Sequence, residues 1–327
     1  MSMDFTRRSA IIGGTLLSMG SGVAFARGAV SPAPTRIGVQ TYSFRDMLPL
    51  PGDMVDKMID GCRRLGVDML ELFEPTIQPP AFSENAPWAV KDGKLTQASL
   101  YGRPPEGPPP ANVLETRQRI REWRLSTPLS HFREIGRRFA RAGIEVQAFN
   151  FGLKEDCTDA EVEWGFAVTK ALRARAMTAS TTLRMAARSA PFAARHRTIV
   201  GLHGHSNLRD PNQLATPESF EQALKMSPWY RLNFDIGHFA AGGFDTLGFL
   251  HRHHKKIISV HLKDRKAHDG MNMPFGEGDT PVCNVVRTIT GNRWPIPMLV
   301  EYEYAGGASV PELARIIQYV RTCAAKA

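Results

Sequence analysis

The sequence predicts an α/β protein of the (β/α)8 TIM-barrel class, folded as a single domain. Short apolar, strand-like runs alternate with amphipathic, helix-like segments, and we count eight such pairs. Regular alternation of this kind indicates a parallel sheet with helical crossovers. Eight units, with no GxGxxG motif after the first strand, fit a closed barrel better than an open dinucleotide-binding sheet.

The first two units come before a long interruption. The run IGVQTYSF (37–44) is a predicted strand, and DMVDKMIDGCRRLG (53–66) is an amphipathic helix closed by glycine. VDMLELFEP (67–75) is the second strand. Residues 76–125 are then rich in proline, glycine and aromatic residues, with PPEGPPP at 104–110. Because they lack the apolar periodicity of a core, we expect an irregular insertion in the barrel domain, acting as a lid or a subunit contact.

The alternation resumes after this insertion and continues to the end of the chain. Thr158 and Glu161 form a capping-box pattern at the start of one helix, and Pro217 lies in the first turn of another. The remaining strands are predicted at 144–151, 176–183, 198–206, 230–239, 257–265 and 296–304. The remaining helices are predicted at 129–143, 158–174, 184–196, 216–226, 244–256, 279–290 and 309–325.

The first 26 residues have the pattern of an export signal. Arg7 and Arg8 precede an apolar run, and Ala24-Phe25-Ala26 matches a small-residue cleavage site. The arginine pair resembles a twin-arginine signal, so we expect a periplasmic protein whose catalytic domain spans residues 27–327. The apolar run is too short for a membrane span of roughly 20 residues, so no membrane association is expected after cleavage. A retained N-terminal anchor is the alternative.

Charge and cysteine content narrow the class of protein. The formal net charge is +9, but the basic residues are scattered and form no stripe interleaved with aromatic residues. This pattern argues against nucleic-acid binding. The four cysteines form no CxxC pair, which argues against a structural zinc site. Free buried thiols are expected, and Cys62 with Cys323 is the one disulfide pair to consider, because the first and last helices of a barrel are neighbours.

Polar residues follow the apolar runs at the predicted strand ends. In a (β/α)8 barrel the carboxyl ends of the strands carry the reactive groups. The last four strands end with His203, Asp235, His261 and Glu301. Two imidazoles and two carboxylates would balance a divalent cation, and without one the carboxylates would be costly to bury together. The mixed donors favour manganese, cobalt, zinc or iron over magnesium or calcium.

Each of these residues also has a purely structural interpretation. The histidines could be satisfied core residues, Asp235 could cap the following helix, and Glu301 could pair with Lys263. His203 and His205 lie one residue apart, on one face if both belong to a strand, so either could be the ligand. Their occurrence on four consecutive strands favours a metal site. His203 is the preferred ligand, and His205 then faces the substrate.

Four motifs carry a resemblance to a known family. FDIGH (234–238), VHLKDR (260–265), PFGEGDT (274–280) and LVEYE (299–303), in this order and spacing, resemble the xylose isomerase-like TIM-barrel proteins, the sugar phosphate isomerases/epimerases. The resemblance covers nearly all of the chain outside the signal and the insertion. It implies one divalent metal ion, manganese, cobalt or zinc, held by residues from the last four strands. The family's first ligand is commonly glutamate, and His203 departs from this, so a two-glutamate proton shuttle does not carry over.

The resemblance implies a sugar isomerase or epimerase acting on a small-molecule ketose or keto-glycoside. Proton abstraction next to a carbonyl would proceed through an enediolate, with Glu301 as the base and His205 as the second group. His238 and Lys263 are expected to bind substrate oxygens, and Glu71 the far end of the sugar. Gly276 and Gly278 are expected to bring backbone close to the pocket mouth. A dehydratase or keto-glycoside lyase, or a non-catalytic sugar-binding protein, is the alternative, and a homo-oligomer is possible.

Overall fold

The chain forms a closed parallel barrel with helices around it. The computed structural model describes residues 36–79, 82, 90–91, 94–95 and 111–327. The barrel strands are β1 (Ile37–Gln40), β2 (Met69–Phe73), β5 (Glu145–Asn150), β6 (Ala176–Ser180), β7 (Val200–His203), β8 (Tyr230–Asp235), β9 (Ile257–Leu262) and β10 (Met298–Val300). They pair in the order β1-β10-β9-β8-β7-β6-β5-β2, and the last closes on the first. The predicted (β/α)8 barrel is therefore confirmed.

The helices follow the strands in the predicted order. They are α1 (Met54–Leu65), α2 (Ala111–Ser126), α3 (Leu129–Arg141), α4 (Asp159–Ala171), α5 (Leu183–His196), α6 (Pro217–Met226), α7 (Ile236–Ala241), α8 (Thr246–His253), α9 (Val282–Gly291) and α10 (Ser309–Ala324). Thr158 and Glu161 make the predicted capping box of α4. Gly66 ends α1 in the left-handed region, at φ 62°, where a side chain would cost energy. Apolar faces of the helices pack on the outside of the barrel and form its core with the strands.

All eight barrel strands end earlier than predicted, and two of these ends move a predicted site histidine off the strand. The fifth ends at His203, so His205 lies in the following loop, and the sixth ends at Asp235, so His238 lies in α7. In both cases a polar residue at the rim ends the ladder and begins the βα connection. The shorter strands leave the functional side chains at the carboxyl-end rim.

Two parts of the insertion are more regular than predicted. Residues 90–91 (β3) and 94–95 (β4) form a short antiparallel pair, and α2 occupies all of 111–125. Strong helix formers such as Leu, Glu, Arg and Gln favour this helix, although it has no sustained apolar stripe that the sequence pattern could reveal. Apart from residues 76–79 and 82, the rest of the insertion lies outside the described residues.

Arg124 fixes α2 to the barrel. Its guanidinium donates to both carboxylate oxygens of Glu74, at 2.8 and 2.7 Å, and to Glu161 at 2.8 Å. It also lies over the ring of Phe151, 4.9 Å from the centroid. The side chains of Arg124, Glu74 and Glu161 are all largely buried. One cation therefore joins the end of β2, helix α2 and the first turn of α4.

The cysteine prediction was wrong in its pairing. Cys283 in α9 and Cys323 in α10 form a disulfide, with a Cα–Cα distance of 5.1 Å. Cys62 and Cys157 are free and buried, as expected of apolar thiols. Helix α10 packs against both α1 and α9, but Cys62 is fully buried in the core beneath α1 and does not reach Cys323. The prediction that the first and last helices are neighbours was thus correct. The direction in which each cysteine side chain points determined which two of them pair.

The predicted signal at 1–26 lies outside the described residues. Among the residues that are described, no helix is both long enough and apolar enough to cross a membrane.

Candidate metal centre and sugar pocket

The structure brings the four predicted ligands to one point on the rim of the barrel. His203 and Asp235 are the last residues of β7 and β8, His261 is the penultimate residue of β9, and Glu301 directly follows β10. All four are buried, and one nitrogen or oxygen atom of each lies within 4.8 Å of the others. Neighbouring parallel strands end at the same height, so residues far apart in sequence converge here.

Asp235 uses its two oxygens differently. Oδ1 accepts a hydrogen bond of 2.8 Å from the backbone N–H of His238, which caps α7. Oδ2 is buried and accepts no hydrogen bond, although the ammonium of Lys263 lies 3.1 Å away. Burial raises the pKa of Asp235, but the positive charge of Lys263 outweighs this and holds the pKa well below its usual range. Both predicted roles, helix cap and candidate ligand, therefore fit one side chain.

His261 is held between two carboxylates. Its Nδ1 lies 3.0 Å from Glu301 Oε2, and its Nε2 lies 3.1 Å from Glu71 Oε2. Burial lowers the pKa of His261, but the charges of Glu71 and Glu301 outweigh it and raise the pKa to about 10. A ring with this pKa carries a proton on both nitrogens at neutral pH, so a cation at Nδ1 would displace the Nδ1 proton while Nε2–H stays donated to Glu71, as in the carboxylate–histidine–metal arrangement.

His203 completes the group on the other side of Asp235. Its Nε2 lies 3.4 Å from Asp235 Oδ2, and its Nδ1 lies 3.5 Å from the hydroxyl of Ser180. The ring therefore presents Nε2 to the same space as Asp235 Oδ2, with a hydroxyl behind it.

Lys263 is the central cation of the site. It is buried, and its Nζ lies 3.1 Å from Asp235, 3.1 Å from Glu301 and 2.7 Å from Glu303. Burial lowers the pKa of Lys263, but these three carboxylates raise it well above the ordinary lysine value. The ion pair between Glu301 and Lys263, weighed in the sequence as the structural alternative, is thus present beside the candidate metal group.

His205 and His238 line the pocket next to the ligands. The His205 ring centroid lies 4.9 Å from that of His203 and 4.8 Å from that of His238. Burial, together with nearby positive charge, lowers the pKa of both rings well below the usual histidine value. Both histidines are therefore neutral at neutral pH, and a neutral imidazole can donate one hydrogen bond and accept another.

The remaining pocket walls come from residues that the sequence analysis did not single out as site residues. They are Gln40, Tyr42, Phe73, Asn150, Ser180 and Glu303. The rings of Tyr42 and Phe73 meet edge to face, 5.5 Å between centroids, and supply an apolar surface beside the polar floor. All six lie at or just beyond a strand end. Their position at the predicted rim of the barrel is therefore the feature of the sequence from which they could have been predicted.

Glu71, which the sequence analysis expects at the far end of the sugar, is not among the residues that line this pocket. It is fully buried below His261 and accepts hydrogen bonds from Asn150, Thr178 and Asn233. Strand β2 continues to Phe73, with a register irregularity between Leu70 and Glu71, so this carboxylate points inside the barrel. It positions His261.

The glycine loop also serves a different purpose from the predicted one. The N–H groups of Gly276 and Gly278 donate to Asp264 Oδ2 at 2.8 and 3.1 Å, and that of Thr280 donates to Oδ1. A Cβ atom at Gly278 would lie 2.0 Å from Asp264 Oδ1. The loop thus encloses the Asp264 carboxylate, and these N–H groups are not offered to the pocket.

The donor set fits a divalent transition metal. Two imidazole nitrogens and two carboxylates suit manganese, cobalt or zinc, and a buried, unbonded carboxylate oxygen lies among them.

Solved structures with the same fold match most of the chain but share little sequence identity with it. One of them is 3-keto-D-glucoside 4-epimerase YcjR from Escherichia coli, which is 12% identical in sequence to this chain. The superposition covers 88% of this chain and 100% of the epimerase chain, with a TM-score of 0.57. The probable 3-DHS dehydratase AsbF from Bacillus anthracis shares 13% identity over 88% and 99% of the two chains, with a TM-score of 0.59. At this identity they show the fold.

Sequence comparison adds the family. L-ribulose-5-phosphate 3-epimerase UlaE of Escherichia coli is 30% identical over 102 residues, which is 31% of this chain. The match spans 36% of the length of this curated relative. The sequence profile of the xylose isomerase-like TIM barrel matches residues 59–323, nearly the whole barrel. The chain therefore belongs to the xylose isomerase-like TIM-barrel family.

Proposed function

We propose that this protein is a divalent-metal-dependent sugar isomerase or epimerase. It would abstract a proton next to the carbonyl of a ketose or keto-glycoside, through an enediolate. The observation that supports this is the buried group His203, Asp235, His261 and Glu301, whose donor atoms lie within 4.8 Å of one another on the floor of a polar pocket. The partial match to an epimerase is consistent with this class of reaction.

Glu301 is the proposed base. When bound, the ion would act as a Lewis acid that polarises the substrate carbonyl. Glu301 Oε2 faces His261 Nδ1 at 3.0 Å and Lys263 Nζ at 3.1 Å. Oε1 is therefore the oxygen that would take the α-proton. Lys263 keeps the carboxylate ionised, since its charge helps to hold the pKa of Glu301, which burial alone would raise, below the usual range.

Neutral histidines supply the remaining polar contacts. His205 is the proposed second group, which would relay a proton from solvent to the substrate, and His238 would bind a substrate hydroxyl. The family's usual glutamate is replaced by His203, so a pair of glutamates is not available for this exchange. Tyr42 and Phe73 would pack on the apolar face of the sugar ring.

Metal binding tests the centre directly. We expect the purified protein to bind about one equivalent of manganese, cobalt or zinc, and Asp235→Asn or His261→Ala to lose most of it, because each change removes one ligand atom from a buried group. Elemental analysis of dialysed protein, with far-UV circular dichroism to verify folding, measures this. Glu277→Gln, an exposed change on the same rim, is the matched control. Unchanged metal content in both ligand variants would contradict the proposed centre.

The reaction class is separated from its alternatives by the fate of the substrate. We would incubate the metal-loaded protein with ketoses and keto-glycosides in deuterium oxide and follow them by NMR. Deuterium at the carbon next to the carbonyl with a new stereoisomer or isomer supports the proposal. Loss of water or of a glycosidic group identifies a dehydratase or lyase using the same pocket. Binding without exchange identifies a non-catalytic sugar-binding protein.

We also propose that the mature protein is periplasmic. The twin-arginine pattern at 1–26 supports export, and the Cys283–Cys323 disulfide is of a kind that persists in oxidising compartments. The protein expressed from its full sequence in a bacterium is expected to begin at Arg27 in the periplasmic fraction. Changing Arg7 and Arg8 to lysine should retain it in the cytosol. Mass spectrometry of both fractions decides, and a cytosolic chain that keeps its first 26 residues would contradict export.

A further inference from the structure

We infer that the substrate is an uncharged sugar and that Glu303 excludes phosphorylated sugars from this pocket. The inference rests on the proposed function and specifies its substrate class. It is drawn from the charges that line the pocket and from the partners that those charges already have.

The pocket has more carboxylates than cations. Asp235, Glu301 and Glu303 all face the Lys263 ammonium, at 2.7 to 3.1 Å. Among the pocket-lining residues in the described part of the chain, Lys263 alone carries a permanent positive charge. Three carboxylates would be balanced by this ammonium together with one divalent ion. The positive charges of the ammonium and the ion would then be matched by these carboxylates, and the charge of a phosphate dianion would be left uncompensated by them.

Two groups of donors near the pocket, in the described part of the chain, have other partners. Arg265 donates to the carbonyl of Gly270, to Ser206 and to Asp269, and its Nη1 lies 2.6 Å from His238 Nδ1. The backbone N–H groups of the glycine loop, a common form of anion site, are occupied by the Asp264 carboxylate. The protein's own anions and carbonyls thus occupy both of these groups of donors.

Glu303 is the carboxylate that the metal centre does not require. It lines the pocket, and its Oε2 receives both the Lys263 ammonium at 2.7 Å and the amide of Asn272 at 3.2 Å. These contacts hold its charge at the pocket wall. Like charges in a partly buried site repel strongly, so a substrate phosphate would be rejected, whereas sugar hydroxyls can donate to the same oxygens.

Binding of unreactive analogues tests the inference apart from catalysis. We would measure ribitol and ribitol 5-phosphate binding to the metal-loaded protein by calorimetry. We expect ribitol to bind at least tenfold more tightly than its phosphate. Equal or tighter binding of the phosphate would overturn the inference, as would failure of ribitol to bind at all. Ribitol binding with no turnover of any ketose would count against the proposed function alone.

Substitution of Glu303 tests its role. We would compare kcat/KM for L-ribulose and L-ribulose 5-phosphate, together with the analogue affinities, in wild type, Glu303→Gln and the control Glu277→Gln. The wild-type preference for the unphosphorylated ligand should fall roughly tenfold in Glu303→Gln, because one negative charge is removed with little change of shape. Glu277→Gln should leave it unchanged. A preference that is the same in both variants would refute the role of Glu303.

Discussion

Replacing Glu301 with Gln is expected to reduce substrate proton exchange by about 10²–10⁴-fold, the usual contribution of a general base. The amide has nearly the same shape but cannot accept the α-proton, and it removes one negative ligand from the group with Asp235 and His261. The measurement is the rate of deuterium incorporation from solvent at saturating metal.

The metal content of the same Glu301→Gln sample must be determined, because loss of the ion and loss of the base have different meanings. A variant that holds metal but does not exchange identifies the base. Glu277→Gln should exchange at the wild-type rate. Exchange in Glu301→Gln within a few-fold of wild type, with metal bound, would rule out Glu301 and direct attention to His205.

Replacing Arg124 with Met is expected to lower the free energy of unfolding by about 3–5 kcal/mol, because two carboxylates then lose their shared, desolvated partner. Glu74 and Glu161 are each only a few per cent exposed, so water does not readily take the place of the guanidinium. Urea denaturation followed by circular dichroism measures the change. Arg121→Met is the matched control, since Arg121 also contacts Glu161 but its side chain is 29% exposed, against 13% for Arg124; there we expect about 1 kcal/mol or less.

The same Arg124 network predicts how stability changes in acid. Burial raises the pKa of Glu161, but the Thr158 N–H and the two arginines outweigh it, so the folded pKa is lowered. Its contribution to stability is therefore complete above the unfolded pKa of about 4.3 and is lost as the pH falls through the folded value. Arg124→Met should lose less stability over that acid range than wild type. An identical acid slope in both proteins would contradict the proposed coupling.

Much of the site was predictable because its information is local. An apolar strand that ends in a polar residue has the same meaning in any parallel barrel, because all strand carboxyl ends lie at one rim. This pattern therefore predicted that His203, Asp235, His261 and Glu301 lie at one rim. The position of Glu71 could not be predicted for a related reason. It was taken as a strand end, but β2 runs two residues further, and nothing in the local pattern distinguishes a rim carboxylate from one held inside by Asn150, Thr178 and Asn233.

The other errors concern orientation and composition. Cys323 has two neighbouring helices with a cysteine, and only the rotation of each helix about its axis selects Cys283 over Cys62. Helix α2 lacks an apolar stripe because two adjacent side chains, Arg124 and Trp123, attach it instead of a row of leucines. Glu303 lies three residues beyond β10, but its significance depends on Lys263 and Asn272, which are distant in sequence and meet it only in the folded barrel.

The position of Glu71 also constrains how this protein can change over evolution. A single hidden carboxylate connects β2 with side chains from β5, β6, β8 and β9, and it supports the imidazole that faces the proposed ion. A change in the metal that binds at this imidazole would need compatible substitutions on several strands at once. Substitutions that change function should therefore be concentrated in the loops around the pocket entrance, while the buried polar residues around Glu71 are conserved together.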